Sequence, residues 1–501
     1  MGNFKSSISI YWILGLVISG SFVRFIFGFF HEPWATEADH IAWEIVIQNG
    51  NWNYSNLIHY PHEGGSILIS IAAKIWSKLL NNNALASIAF IVDFIVRCIQ
   101  LFTVSILFRR NVSFTFGVFT VFAFPFMIPW GTANFGLHYI SSMFPFILLI
   151  FLQKWNANVV FHILFSSFIA FTIWFSYINL VLIPVSIIGL LFLKKTSFNL
   201  PALIIPFLSI IIMHLWVRYS FDPGFHLPTF SDFGIRDTEF QIWNISTIKK
   251  LVLVPNTIAN AASVSSSPSI HFITKILFLI FSSVSIIGFF RSYKTKSLPN
   301  AIKIASITIV SFLIIYSISP FFQMGNSNNY VSYRHLTFIF PLLGLWIIYG
   351  IQFTRHNLLL STFFIITGLI GTIKIMEPRN EKPNSSSYNG AGWVLAHKFG
   401  HSPDKLISLI EKHPKQQELI TGIGWGSTTA IFHKIHATDS IFDTKVYYFL
   451  KLMKTYPDSY SPYLKDGFNT SFSPGITPVL DGDIKSKIEL FSNSKMPNIS
   501  D

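Results

Sequence analysis

Between residues 31 and 63 the chain gathers Glu37, Asp39 and His40, then His59, Tyr60, His62 and Glu63, directly after an apolar stretch that ends near residue 30. A carboxylate held there can take the proton from an attacking hydroxyl if the two come within hydrogen-bond reach. It can equally cap the free N–H groups of a first helical turn and complement the helix dipole. Helical spacing at Ile41, Glu44, Ile45 and Gln48 keeps that structural reading open for both acids, with Glu37 ahead of Asp39 as the base. His59 and His62 are separated by a turn containing Pro61, which favours extended geometry. They either hydrogen-bond the loop, meet an anionic group, or join Glu37 and Asp39 around a divalent metal ion. No HExxH or similar spacing specifies that metal. It stays a candidate on Glu37, Asp39 and His62, and no other cofactor is indicated.

A second group lies far along the chain, where Tyr333, Arg334 and His335 precede Phe340 and Pro341. A guanidinium there can grip a phosphate with two parallel hydrogen bonds, which a lysine cannot do. Asp93 and Arg97, four apart inside an apolar run, fall on one helical face and read as a mutually neutralising pair. Arg218, Lys249 and Lys250 have the dispersion of ordinary surface charges.

The elements that must hold these residues follow from composition. Hydrophobic residues make up 51% of the 501 positions and charged residues only 12%, too few to solvate a water-soluble surface of this size. Crossing about 30 Å of hydrocarbon takes roughly 17 to 25 apolar residues. Such stretches run near 8–30, 84–108, 112–130, 136–153, 157–174, 177–193, 200–217, 271–290, 301–318, 335–352 and 357–375. About eleven transmembrane helices in an all-α polytopic membrane protein are therefore expected, the least secure being the two that turn around Trp174 to Asn179. The first stretch carries Arg24, is long for a signal peptide and lacks a small-residue cleavage site, so it reads as a retained helix. The single cysteine, Cys98, excludes an intrachain disulfide.

Sidedness follows from charge. With the N-terminus inside, Lys5, Arg109, Arg110, Lys154, Lys194, Lys195, Arg291, Lys294, Lys296 and Arg355 all fall in short inside segments. Of the 23 carboxylates only Asp93 falls in a span, and none falls in an inside loop. The net charge of +13 is thus a topology signal, and its dispersion builds no stripe for nucleic acid. External regions remain at 31–83, 218–270 and beyond 376. The first continues from Gly64 and Gly65 into an amphipathic stretch, Ile67 to Leu80, suited to lie on the bilayer.

This order of features resembles the GT-C glycosyltransferases, and within them the bacterial branch that takes sugars from polyprenyl phosphates, of the protein-mannosyltransferase and arabinosyltransferase kind. The likeness spans residues 8–352. An acid follows the first span, then come a helix ending in Gly50, a Pro-containing turn, an interfacial helix, a long second span closed by Arg109 and Arg110, and the late Tyr333-Arg334 with Pro341. Counting back from Gly50, Glu37 matches the family's Glu, while Thr36 and His40 stand where the family has Asp and Tyr; Asp39 is the second acid available. The resemblance implies a lipid-linked sugar donor, a glycan, lipid or protein acceptor on the external or periplasmic face, Glu37 (or Asp39) as base and Arg334 at the donor phosphate. His335, His40, His59, Tyr60 and His62 would then line the substrate. It also implies a bacterial cytoplasmic membrane.

The tail, 377–501, has the polar composition of a soluble domain, tethered through the Pro-, Asn- and Ser-rich run 378–387. The motifs Asn389-Gly-Ala-Gly-Trp393 and Thr421-Gly-Ile-Gly-Trp425 recur after 32 residues, close to the period of helix-hairpin repeats. They lack the preceding strand of a phosphate loop and read as small residues for close helix packing. A soluble helical-repeat domain is expected, with 388–440 as the surface for a protein partner. Beyond Tyr456 the composition specifies no regular structure. Two other functional classes fit the architecture: a transporter or flippase for lipid-linked saccharides, which needs charged or broken helices at the membrane midplane, and a non-catalytic scaffold.

Overall fold

Apolar runs of this length can satisfy their backbone groups in lipid only as helices, and helices are what the computed structural model contains. It describes residues 9–30, 42, 45, 64–65, 68, 84–122, 127–128, 137–194, 198–221, 245–262, 268–295, 298–318, 334–376, 387–399, 403–432 and 454–470. Among them there is no strand. Two compact units emerge, one of Met1–His31 with Tyr60–Asn380, the other of Glu32–His59 with Glu381–Asp501.

In the first unit the helices are α1 (Ile10–Phe30), α2 (Ala84–Leu107), α3 (Arg110–Phe122), α4 (Leu137–Ser141), α5 (Phe144–Gln153), α6 (Val159–Phe175) and α7 (Leu182–Phe192). They continue with α8 (Leu200–Phe221), α9 (Ile245–Ala262), α10 (Pro268–Lys294), α11 (Asn300–Ile318), α12 (Phe340–Gln352) and α13 (Asn357–Met376). A helix thus stands at each of the eleven apolar stretches. Five of them contain windows long and apolar enough to cross a membrane: Ile10–Phe27, Phe90–Leu107, Leu200–Val217, His271–Lys294 and Asn300–Ser317. Shorter apolar helical stretches run over Leu137–Gln153, Val159–Phe175, Tyr177–Phe192, Phe340–Gln352 and Asn357–Ile373. The molecule is a helical, polytopic membrane protein.

Local chemistry explains where helices begin and break. Asn158 caps α6, its side chain accepting from Val160 N at 2.8 Å, and Asn199 does the same for α8 through Ala202 N at 3.0 Å. Pro145 and Pro341 sit in first turns, where a missing N–H costs nothing. The expected 136–153 stretch is split into α4 and α5 at Ser142–Met143. The chain after α6 becomes extended at Ser176 and then forms a 3-10 turn, Tyr177–Val181, before α7. α9 lies within 218–270, where span-length hydropathy gives no signal, and packs on α10 and α11, with Val254, Ile258 and Ala259 buried.

α12 forms the centre of this unit, with Leu342, Leu345, Ile347, Ile348 and Ile351 fully buried. Its approach to α10 is set by small residues, Gly350 lying against Ser285, whose hydroxyl donates to Ile347 O at 2.9 Å. α8 is the opposite case. Ile205, Ile212, Met213 and Trp216 stand out from the protein, as a helix bathed in lipid requires.

The second unit contains α14 (Ser387–Phe399), α15 (Pro403–Ile410), α16 (Gln416–Phe432), a 3-10 turn Asp458–Tyr460 and α17 (Ser461–Thr470). Both glycine motifs are helical and face backbone: a Cβ on Gly392 would overlap Leu419 O, and one on Gly422 would overlap Asn389 O. α17 stands where composition specified nothing regular. It begins at a Ser-Pro pair, and its Leu464 is fully buried, with its backbone carbonyl against Gly424 of α16.

Candidate active site

Of the residues that sequence singles out, Glu37, Asp39, His40, His59, Tyr60 and His62 lie outside the described residues. By chain range, Glu37, Asp39, His40 and His59 fall in the second unit, and Tyr60, His62, Arg334 and His335 in the first. The described part of the site belongs to the first unit and is built on His335.

Arg334 opens a 3-10 turn, Arg334–Phe338, that leads into α12. The turn is anchored by apolar burial of Leu336 and Phe338, which fixes His335 inside the protein at 4% exposure. The His335 ring lies against that of His138 from α4, centroids 4.5 Å apart and tilted by 34°. Its Nε2 is hydrogen-bonded to the Tyr177 hydroxyl at 2.9 Å, and Tyr177 also meets His138 edge-on. The break between α6 and α7 is what delivers Tyr177, since a continuous helix would carry it past this corner.

The chain at Gly64 and Gly65 reaches the same corner. Gly64 N donates to Trp174 O at 2.8 Å, and Gly65 lies against Leu137 and Phe175 so closely that any Cβ would clash. Leu137 adjoins His138, and Trp174 precedes Tyr177 by one turn. The residue types explain the contact, because only glycine lets a loop backbone come this near to a helix end.

Beneath this corner runs a buried polar seam. Asn179 donates to Ser141 Oγ at 3.1 Å and to Thr172 O at 2.8 Å, and Gln100 donates to Ser142 Oγ at 2.9 Å. Gln100 thus ties the end of α4 to α2, and Asn179 ties α4 to the end of α6.

Farther along α2, Asp93 and Arg97 form the expected pair, and Arg24 of α1 joins it. Asp93 also accepts from Tyr139 and, at 2.8 Å, from Ser21. The surplus guanidinium N–H groups donate to carbonyls: Arg24 to Met127 and Ile128, Arg97 to Thr120. The Arg24 guanidinium carbon stands 4.3 Å from the Tyr139 ring centroid. Two arginines, one carboxylate and backbone carbonyls form a buried set that fastens α1, α2, α4 and the end of α3.

Sequence reasoning missed His138, Tyr177 and Arg24 as participants. Their signal was present, since each is a polar or charged residue in an apolar run, where such residues are rare and usually engaged. Among the described residues no three His, Cys, Asp or Glu come together to hold a metal ion.

No family model matches the chain, and no curated protein does. Among solved structures it is similar to ArnT from Cupriavidus metallidurans bound to undecaprenyl phosphate, at 12% identity and a TM-score of 0.49, over 98% of this chain and 82% of that one.

Proposed function

We propose that this chain is a GT-C-like glycosyltransferase that moves a sugar from a polyprenyl-phosphate donor to an acceptor glycan, lipid or protein at the external membrane face. The observation that carries the reading is the corner at His335. There the turn bearing Arg334 and the return of the loop bearing His62 and Glu63 are fastened to adjoining residues, 137–138 and 174–177, of one bundle. All eleven apolar stretches cross the membrane in this reading. The N-terminus is inside, the tail outside, and the setting is a bacterial cytoplasmic membrane.

Glu37, or Asp39 in its place, takes the acceptor hydroxyl's proton as that oxygen attacks the anomeric carbon. The bond from that carbon to the phosphate oxygen breaks, and polyprenyl phosphate departs with the electron pair. Arg334 holds the phosphate and offsets the charge that grows on it. Its neighbours His335, His138 and Tyr177 keep the turn in place; His59, Tyr60, His62 and His40 line the substrate. The chemistry closes without a metal, and an ion on Glu37, Asp39 and His62 would add charge stabilisation at the same phosphate.

The transporter reading gains the broken helices and the buried ions around Asp93. It is weakened by the engagement of both arginines, which a transport site would need to present to its cargo. The test is Glu37→Gln in the full chain, in nanodiscs, with release of polyprenyl phosphate as the readout from a panel of polyprenyl-phosphate sugars. Turnover should fall about 10²- to 10⁴-fold. Wild-type turnover in that variant, with folding intact, would remove the base. Arg334→Lys should raise the donor KM about tenfold, because it keeps charge and loses the bidentate grip.

A further inference from the structure

We infer that the tail is the scaffold of the first external loop, so that Ala42 and Ile45 are positioning residues for the candidate base, an inference that rests on the glycosyl-transfer reading above. Ala42 and Ile45 are helical, with 1% and 2% of their surfaces exposed, and they belong to the hydrophobic core of the second unit together with Leu395, Leu406, Leu419 and Leu464. The two are three residues apart, the spacing that puts side chains on one helical face. A helix shorter than about 12 to 15 residues is marginal in water by itself and owes its persistence to packing. The packing here comes from α14, α15, α16 and α17, a set closed tightly by glycines at 392, 422, 424 and 426.

The compact units have the same division, placing Glu32–His59 with Glu381–Asp501. Glu37 precedes Ala42 by five residues, so anchoring Ala42 in this core keeps the acid within about 18 Å of it, the reach of five extended residues. The tail is then part of the catalytic construction, and its core residues act on the base through Ala42 and Ile45. A tail that served only to recruit a partner protein would have no reason to bury two residues of a loop more than 340 positions away in sequence.

Hydrogen exchange on the full chain in nanodiscs tests the linkage from both sides. Leu419→Asp should raise exchange in 387–399 and in 41–50 together, by at least about tenfold, with 84–107 unchanged, since residues of one cooperative unit open together. Ile45→Asp should open 387–399 and 416–432 in return. If 41–50 keeps its wild-type exchange while the tail opens, or if 84–107 opens with it, the inference is overturned. Positioning is read from the pH profile of turnover. Ile45→Ala should move the acid limb of kcat by about half a pH unit or more, and Ile45→Val should restore it, whereas a smaller folded fraction only scales the curve. An unmoved limb overturns the positioning role. Exchange linkage in a chain that turns over no lipid-linked sugar would sink the transferase reading alone and leave the scaffold in place.

Discussion

Arg24, Asp93, Arg97 and Tyr139 set the hardest constraint in the membrane-embedded part of the chain. Removing one partner from a buried ion set leaves the others uncompensated, at a cost of about 3–5 kcal/mol. Asp93 is the sole anion between two guanidiniums, fully buried, so its neutralisation should be the most damaging single change there. Asp93→Asn is expected to lower the melting temperature of the detergent-solubilised protein sharply, and Arg97→Gln less so, because Arg24 would still pair with Asp93. Equal melting for Asp93→Asn and wild type would show that the carboxylate is dispensable. The sequence made half of this cluster legible. Asp93 and Arg97 share a helix, and a spacing of four is a local signal. Arg24 and Tyr139 come from other helices, and nothing in spacing states which distant side chains a fold will bring to one carboxylate. His138 and Tyr177 were hidden for the same reason, although Arg334 and His335 stood out as polar residues opening an apolar stretch.

At the level of elements, hydropathy located the helices because lipid solvation is a local demand, met or failed within some twenty residues. It did not locate α9, whose Lys249, Lys250, Asn256 and Asn260 lower the hydropathy of its sequence, nor the breaks at Ser142–Met143 and Ser176, which Gln100 and Asn179 brace with side-chain bonds. In the tail, the glycine motifs were legible as packing surfaces, but not the helix they meet. Gly422 faces the Asn389 carbonyl, a backbone atom that cannot rotate away, so Gly422→Leu must part α14 from α16. Overpacking of this kind costs about 1–3 kcal/mol or more. Limited trypsin digestion should then cut the tail at least several-fold faster, with the membrane part still intact. The tail also carries a pH-dependent contact. His413 Nδ1 accepts from Lys415 N at 3.1 Å, and burial holds its pKa below the ordinary imidazole value, against the opposing pull of Glu418. A depressed folded-state value means the unfolded tail binds the proton more readily, so stability is full above about pH 6.5 and declines as pH falls below it. His413→Gln should flatten that decline between about pH 7.5 and 5 in thermal melts followed by tail-specific exchange. An unchanged slope would assign the acid sensitivity elsewhere.

For the whole molecule, sidedness is the property on which the proposed external site depends, and it rests on where lysines and arginines fall between spans. The bias works through short loops, because a cationic segment of a few residues resists translocation while a long domain does not. The turn after α5 is such a loop: Lys154 closes the helix and Asn156 is exposed before Asn158 caps α6. Ser408 is exposed on α15 in the tail. In a Cys98→Ala background, a Ser408→Cys chain in intact cells should react with a membrane-impermeant maleimide, and an Asn156→Cys chain should react only after permeabilisation. Each site reports one side, and an odd number of crossings separates them, so the two labels cannot agree unless a span between them has been miscounted. The stretch with most bearing on that count is α6 to α7, where the chain breaks at Ser176 and the apolar helices number 17 and 11 residues. If that pair formed a single crossing, everything beyond residue 193 would change sides, and Arg334 would open toward the cytoplasm while the first loop stayed outside. Protection of both positions until permeabilisation would therefore dismantle the shared site, since a base on one face of the membrane cannot serve a phosphate gripped from the other.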